Sequence, residues 1–444
     1  MGYFAFPHSF EGKKIVRVKD LDTELTAGIT GCGYDTFYRY PASYLIPLGD
    51  PQYAREGNTA NGLSGYMLNS RCWLYDVGLA LLVYTTEGDV ATVTEMLRRL
   101  QLDQNPDGSW NFSYDIYIGK LFHDYVRTGS MGWAVWGIAY ALLTLKFEPE
   151  DRKTWEAMLD KAGEWMLGQQ VTDDSTSAYY GLLKGGYGVY DNDYNYADVK
   201  IEWCSVEHQC SALQGLEGCA LVLGKEKYKT AAELVRDSLY LKCYDAKNDR
   251  FFQGINGNRP DQAWALDCTT WAGMLIFSVV HRECASKCLE TAREVFFAED
   301  KPIVQSEEKD YFNQSYSSQR TFSGFKPYSD RTADYAGAPD IVWTEGTLGY
   351  AALAKLLGQN EEAQKYVDEC IGMQECEGGT GGVLYVNATY GMMPWEFHVW
   401  ESVVSSAWLY LLIRNPDVLF PRTLRQVYYM AKFTNIQDER PSGG

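Results

Sequence analysis

The sequence predicts an all-α toroid, six helical hairpins closed into concentric inner and outer rings, (α/α)6, with long loops and short β-hairpins on one rim. Three observations predict it. Six apolar segments begin near residues 77, 132, 207, 268, 345 and 402, roughly 55 to 77 residues apart, a period too long for tetratricopeptide or ankyrin repeats. Each segment is apolar almost all round and so belongs inside, whereas the helix after it has a polar face, as in EEAQKYVDECIGMQ, and so belongs outside. Five carboxylates share one phase, just before or in the first turn of an inner helix: Asp76 in WLYDVGLALL, Glu207 in CSVEHQCSAL, Asp267 in ALDCTTWAGM, Glu345 in VWTEGTLGYA and Glu401 in VWESVVSSAW. Closing the ring brings all five to one rim.

Residues 1–60 are irregular and turn-rich (GYDTFYRYPASYLIPLGDPQY) and read as a cover over the barrel. The barrel takes 61–433 and a polar tail 434–444, so residues 1–444 are expected to form a single domain. The first hairpin runs from Gly78 to Trp110 and the second from Gly132 through EDRKTWEAMLDKAGEWMLGQQ. The third is QCSALQGLEGCALVLGKEKYKTAAELVRDSLYLKC, closed by the FFQG strand, and the fourth is TTWAGMLIFSVVHRECASKCLETAREVFFAED. The fifth starts at Glu345 and ends near GGTGG, a turn leading into the VLYVN strand. The sixth pairs SVVSSAWLYLLI with TLRQVYYMAKF near the C-terminus. Links inside hairpins are short (TTEGD, LGKEK, LGQNE), and those between hairpins are long and aromatic, the usual place for function.

Composition narrows the function. A formal net charge of −19 opposes binding to nucleic acid or anionic membranes, and no run approaches the length of a membrane span. The 33 Tyr, 18 Phe and 13 Trp exceed what a Leu- and Ala-based helical core needs, and suit surfaces that stack sugar rings. The odd number of Cys, 11, without a CxxC pair, reads as a reducing, cytoplasmic setting, and MGYFAFPHSFEGKK has no signal-peptide pattern. A monomer is expected. The five His form no HExxH or paired spacing, and DNDYNYAD lacks the EF-hand pattern, so neither metal nor cofactor is expected. No GxSxG, P-loop or dinucleotide fingerprint occurs.

The alternating hairpins, the WLYD and SVEH helix starts, the QNPDGSW loop, FFQG followed by ALDCTTW, and WTEGT before an alanine-rich helix resemble the six-hairpin glycosidase superfamily, the (α/α)6-barrel glycoside hydrolases, over about residues 65 to 415. The resemblance implies an inverting, endo-acting glycoside hydrolase acting on a neutral polysaccharide or oligosaccharide such as a glucan. That chemistry needs one protonated and one ionised carboxyl about 6.5–9.5 Å apart. Glu207, among Tyr194, Tyr196 and Trp203, is the expected acid, because rings desolvate a carboxyl and raise its pKa. Glu345 and Asp76 are the expected catalytic partners. Asp267, Glu401, His208, Tyr75, Tyr194, Trp203, Trp264, Trp343, Trp395 and His398 are expected to hold the sugar. Trp110 also falls near an inter-hairpin loop, while Trp133, Trp136, Trp165 and Trp408 read as core. The same barrel carries polysaccharide lyases and sugar epimerases, and His123 with Arg127, or His398 with Arg331, keeps a lyase open. A non-catalytic carbohydrate-binding toroid is the plainer alternative. A terpene-cyclase-like toroid lacks its DxDD motif here.

Overall fold

The computed structural model describes residues 3–5, 16–18, 40–47, 50, 70–116, 119–120, 125–190, 196–277, 281–305, 316–390 and 397–420. Among them are eleven α-helices. Six are the apolar segments of the sequence: α1 (Leu74–Thr86), α3 (Thr128–Thr144), α5 (Val206–Leu223), α7 (Leu266–Ile276), α9 (Thr344–Leu356) and α11 (Val403–Arg414). Five amphipathic helices follow them: α2 (Val90–Asp103), α4 (Pro149–Gln169), α6 (Glu226–Cys243), α8 (Arg282–Phe296) and α10 (Asn360–Gln374). The expected twelfth helix, TLRQVYYMAKF, lies outside the described residues, as does most of the N-terminal cover.

The inner helices pack in cyclic order. α1 meets α3, α3 meets α5, α5 meets α7, α7 meets α9, α9 meets α11, and α11 returns to α1. Nearly every residue of these helices is buried, which is why their sequences lack a polar stripe. Glycine sets the tightest crossings. A Cβ on Gly78 would come within 2.6 Å of the Trp133 carbonyl carbon, and one on Gly132 within 2.3 Å of that of Ser211, so α1, α3 and α5 touch backbone to backbone.

Each inner helix is entered from extended backbone. Strands Arg71–Trp73, Val126–Arg127, Cys204–Ser205, Trp264–Ala265 and Glu401–Ser402 run straight into α1, α3, α5, α7 and α11, and Trp343 makes a bridge to Val386 before α9. These short strands pair with strands of the inter-hairpin loops and form a ring of small sheets at one end. The cover joins this ring where Tyr44–Leu45 pairs with Glu401–Ser402, which pairs in turn with Val383–Leu384.

The other end is closed. Residues 416–420 fold beneath the ring, with the Val418 carbonyl accepting from Trp136 Nε1 at 3.0 Å. Phe420 takes a positive φ of 76°, a costly conformation for a bulky residue. Its ring sits 5.5 Å from that of Trp133, 5.6 Å from Trp271 and 6.2 Å from Trp408, and Trp271 stacks on Trp408 at 5.4 Å. This aromatic plug fills the barrel axis. No helix among the described residues is long and apolar enough to cross a membrane.

Candidate active site

Strand entry fixes the phase of every inner helix, so the second and third residues of each first turn point the same way. At these positions stand Tyr75 and Asp76 on α1, Gly129 and Ser130 on α3, Glu207 and His208 on α5, Asp267 and Cys268 on α7, Glu345 and Gly346 on α9, and Val404 and Ser405 on α11. Seven of them, Tyr75, Asp76, Ser130, Glu207, His208, Glu345 and Val404, line one cavity of about 270 Å³. Trp133 lies beneath it, and Tyr44, Trp73, Phe112 and Tyr385 wall it. Tyr44 packs edge-on against Trp73 and Tyr385, each at 5.5 Å.

Asp76, Glu207 and Glu345 come from every second inner helix and face one another round the axis. Burial pushes the Glu207 carboxyl up to about 8, and the charge of Asp267 adds to it. Its near neighbour is His208, whose Nε2 lies 3.4 Å from Oε2. Burial, aided by Arg127, holds His208 down to about 3, so the imidazole is neutral. Its Nδ1 is buried with no partner among the described residues. Burial raises Asp76 to about 7 against a hydrogen bond from Ser43, and its Oδ1 has no partner among the described residues. An unsatisfied buried carboxylate oxygen on a cavity wall is a place for a water or a hydroxyl.

Glu345 is anchored. The Tyr75 hydroxyl donates to its Oε1 at 2.6 Å, and Trp408 Nε1 donates to the Tyr75 oxygen at 2.7 Å. Burial raises the Glu345 carboxyl well above its usual range against that hydrogen bond, with the charges of Asp267, Asp76 and Glu207 adding. Asp267 is pushed up to about 6 by burial, opposed by the Cys268 N–H at 2.7 Å. Only partly buried, it stands on α7 between α5 and α9, within electrostatic reach of Glu207 and Glu345, and it does not line this cavity.

Glu401 is elsewhere. It lies in the strand before α11, not in the helix, so its side chain is out of phase with the others. Its Oε1 accepts from the N–H groups of Thr380, Gly381 and Gly382 at 2.8, 2.9 and 2.7 Å, and its Oε2 from the Thr380 hydroxyl. It clamps the GGTGG turn. The tryptophans also depart from expectation. Trp110 is fully buried with its indole donating to Leu100 O at 2.8 Å. Trp264 is covered by the Arg250 guanidinium 3.9 Å above its ring, and Trp343 is buried under α9. A helix-end tryptophan is large enough to be packed over before it can serve as a platform. Trp203 contacts the His208 ring at 5.4 Å, and His398 stacks on Trp400 at 4.1 Å; neither lines the cavity. Tyr194 and Trp395 lie outside the described residues. Sequence reasoning missed Tyr44, Trp73, Phe112, Ser130, Tyr385 and Val404, and placed Trp133 in the core. The shared helix phase was a usable signal for Ser130 and Val404; the others are brought in by loops. No group of three or more His, Cys, Asp or Glu among the described residues is arranged to hold a metal.

No protein-family model and no curated protein sequence matches the chain. Solved structures do. A D-mannose isomerase superposes with a TM-score of 0.53 at 11% identity, covering 89% of this chain and 96% of its own. A sugar epimerase from a ruminal bacterium gives 0.53 at 9% identity, covering 86% and 93%. A glycosidase variant in complex with glucose gives 0.50 at 12% identity, covering 90% and 100%. These likenesses show the fold: the chain is an (α/α)6 barrel.

Proposed function

We propose that this protein is a carbohydrate-active enzyme, and that it hydrolyses glycosidic bonds with inversion. The observation that carries the reading is the trio Asp76, Glu207 and Glu345, presented by alternate inner helices to one aromatic-walled cavity. At about 30 Å³ per water, about 270 Å³ holds roughly nine waters, a space on the scale of a single sugar ring. No Lys or Arg among the described residues lines it, which favours an uncharged sugar over a uronate and over a lyase. Closed below by the tryptophan plug, it suits the end of a glycan better than the middle of one. An exo-acting enzyme on a neutral oligosaccharide therefore replaces the endo-acting expectation, with a glucan among the first substrates to test.

Carboxyls crowded in one low-dielectric space cannot all ionise together. Glu207, without a strong donor, keeps its proton and gives it to the leaving oxygen. Burial raises Glu345 as well, but of the two only Glu345 accepts a side-chain hydrogen bond among the described residues, from Tyr75, which favours its ionised form; on that wiring we assign the charge to Glu345, which takes a proton from the attacking water. The water's oxygen bonds to the anomeric carbon as the bond to the leaving oxygen breaks. Asp76 Oδ1 accepts from a sugar hydroxyl or from that water.

Isomerisation or epimerisation of a free sugar is the second reading, favoured by the isomerase and epimerase among the structural neighbours. One screen separates the two. Oligosaccharides and free monosaccharides are incubated in deuterated water and followed by chromatography and NMR. New reducing ends support hydrolysis. Deuterium at the carbon next to the carbonyl, with no chain cleavage, overturns it in favour of the second reading.

A further inference from the structure

We infer that Trp408 is a positioning residue: its indole N–H turns the Tyr75 hydroxyl so that the Tyr75 proton lies on Glu345 Oε1, which leaves Oε2 as the oxygen that exchanges a proton with the reacting water. This deepens the hydrolase reading and rests on it for the role of Glu345.

The direction of the chain is forced by donor chemistry. An indole N–H only donates, and a phenol has one proton. Trp408 Nε1 lies 2.7 Å from the Tyr75 oxygen, so that oxygen accepts there. Its own proton then goes to the other close oxygen, Glu345 Oε1 at 2.6 Å. With Oε1 accepting, any proton on Glu345 resides on Oε2. Without the indole, the Tyr75 oxygen would be free to accept from a protonated Glu345, and either carboxyl oxygen could hold the proton.

Trp408 is built to hold this direction. It is fully buried, stacked on Trp271 at 5.4 Å and 17°, and set edge-on to Trp133 at 6.0 Å. The indole nitrogens of Trp133 and Trp271, in the same plug, have no hydrogen-bond partner among the described residues. Of these three indole N–H groups, the one on α11 donates to a residue of the site, Tyr75. A chain of hydrogen bonds polarises its members, so the indole also makes Tyr75 a stronger donor to Glu345. The other groups facing Glu345 are Asp76 on α1, Glu207 on α5, Asp267 on α7 and Tyr385 next to the Val383–Leu384 strand. Among the described residues none of these donates a hydrogen bond to it, and Tyr75 does.

The test replaces Trp408 with 3-benzothienylalanine, which keeps the bicyclic shape and puts sulfur where the N–H was; Trp408→Phe is the encoded counterpart. The infrared carboxyl band of Glu345, assigned by its loss in Glu345→Gln, is titrated without ligand in the wild type, the Trp408 variants, Tyr75→Phe and the double variants. Removing a hydrogen bond that favours the ionised form raises the titration midpoint. The expected result is an upward shift in Tyr75→Phe, a smaller one in the Trp408 variants, and no further shift when a Trp408 variant is added to Tyr75→Phe. On 4-nitrophenyl glucosides, kcat falls about ten- to a hundredfold in Tyr75→Phe, and in the same direction in the Trp408 variants, with KM little changed. An unchanged midpoint in the benzothienylalanine variant overturns the inference. So does an equal shift in the Tyr75→Phe background, since that effect would not pass through Tyr75. If the infrared result holds while no glycoside is cleaved, the positioning of Glu345 stands and the hydrolase reading falls.

Discussion

Glu207 is partly exposed and Glu345 buried, and their wiring is opposite; that contrast sets their chemistry. Glu207 faces a neutral imidazole 3.4 Å away with no closer donor among the described residues, and burial with the charge of Asp267 raises it to about 8. Glu345 is held by a phenol that is itself held by an indole. Glu207→Gln keeps the shape and removes the transferable proton. The expected outcome is a loss of about 10²–10⁴-fold in kcat with sugar binding nearly intact, measured by turnover and calorimetric titration. Stability carries an independent signature. The Glu207 pKa rises from 4.5 unfolded to about 8 folded, so between those values the native state binds more protons than the unfolded one. Its contribution is fully present below about 4.5 and is lost as pH rises through about 8. Asp76 behaves alike between 3.8 and about 7. The melting temperature therefore falls from mildly acid to alkaline pH. Glu207→Gln flattens that slope and stabilises the protein above pH 8 by roughly 1–3 kcal/mol, read by thermal unfolding across pH. Wild-type turnover in this variant would move the acid elsewhere.

Individual elements decide which acids meet. Asp76, Glu207, Asp267 and Glu345 stand in the first helical turn, whereas Glu401 stands in a strand. A sequence pattern locates a helix start to within one or two residues, and that uncertainty is the difference between a side chain on the cavity and one behind it. The helices themselves were legible, because the apolar segments are of helical length and the first five lead through a short link to an amphipathic one. Ser130 and Val404 share the phase of the acids without sharing their charge, so a search for carboxylates passed over them. Tyr44 and Tyr385 reach the cavity through loop strands whose pairing depends on closure of the whole ring. Trp110, Trp264 and Trp343 were read by their place in the chain, and packing overruled it. Two predictions belong here. Glu401→Gln loses the charge that gathers three backbone N–H groups of the GGTGG turn. It should cost roughly 1–3 kcal/mol in thermal unfolding, while kcat changes less than in Glu207→Gln. Gly129→Ala places a methyl 2.4 Å from His208 Cδ2 and 3.1 Å from Glu207 Oε1. It should lower kcat at least about tenfold with little loss of melting temperature, because the flexible Glu207 moves before the helix does. Unchanged kcat would show that Glu207 has no fixed working position.

At the scale of the molecule, the closed ring links stereochemistry to topology. α1, α5 and α9 are alternate members of the six, so α3 stands between Asp76 and Glu207, and α7 between Glu207 and Glu345. Packed helix axes lie about 8–10 Å apart. Carboxyls pointing inward from alternate helices, a whole helix apart, therefore leave room for a water between base and sugar. Retaining enzymes need their two carboxyls only about 5–5.5 Å apart, close enough for one to bond the anomeric carbon. A ring of this kind reaches that spacing by bringing two acids onto the same or adjacent helices; here Asp267, on the helix adjacent to those of Glu207 and Glu345, does not line the cavity. The plug of Trp133, Trp271, Trp408 and Phe420 holds the ring open at this diameter, since four large rings fill the axis directly below the acids. The expected outcome is inversion at the anomeric carbon, followed by proton NMR on the first product before mutarotation. Retention would mean that two of these carboxyls come together in the working enzyme, and the alternate-helix arrangement would then not be the catalytic one.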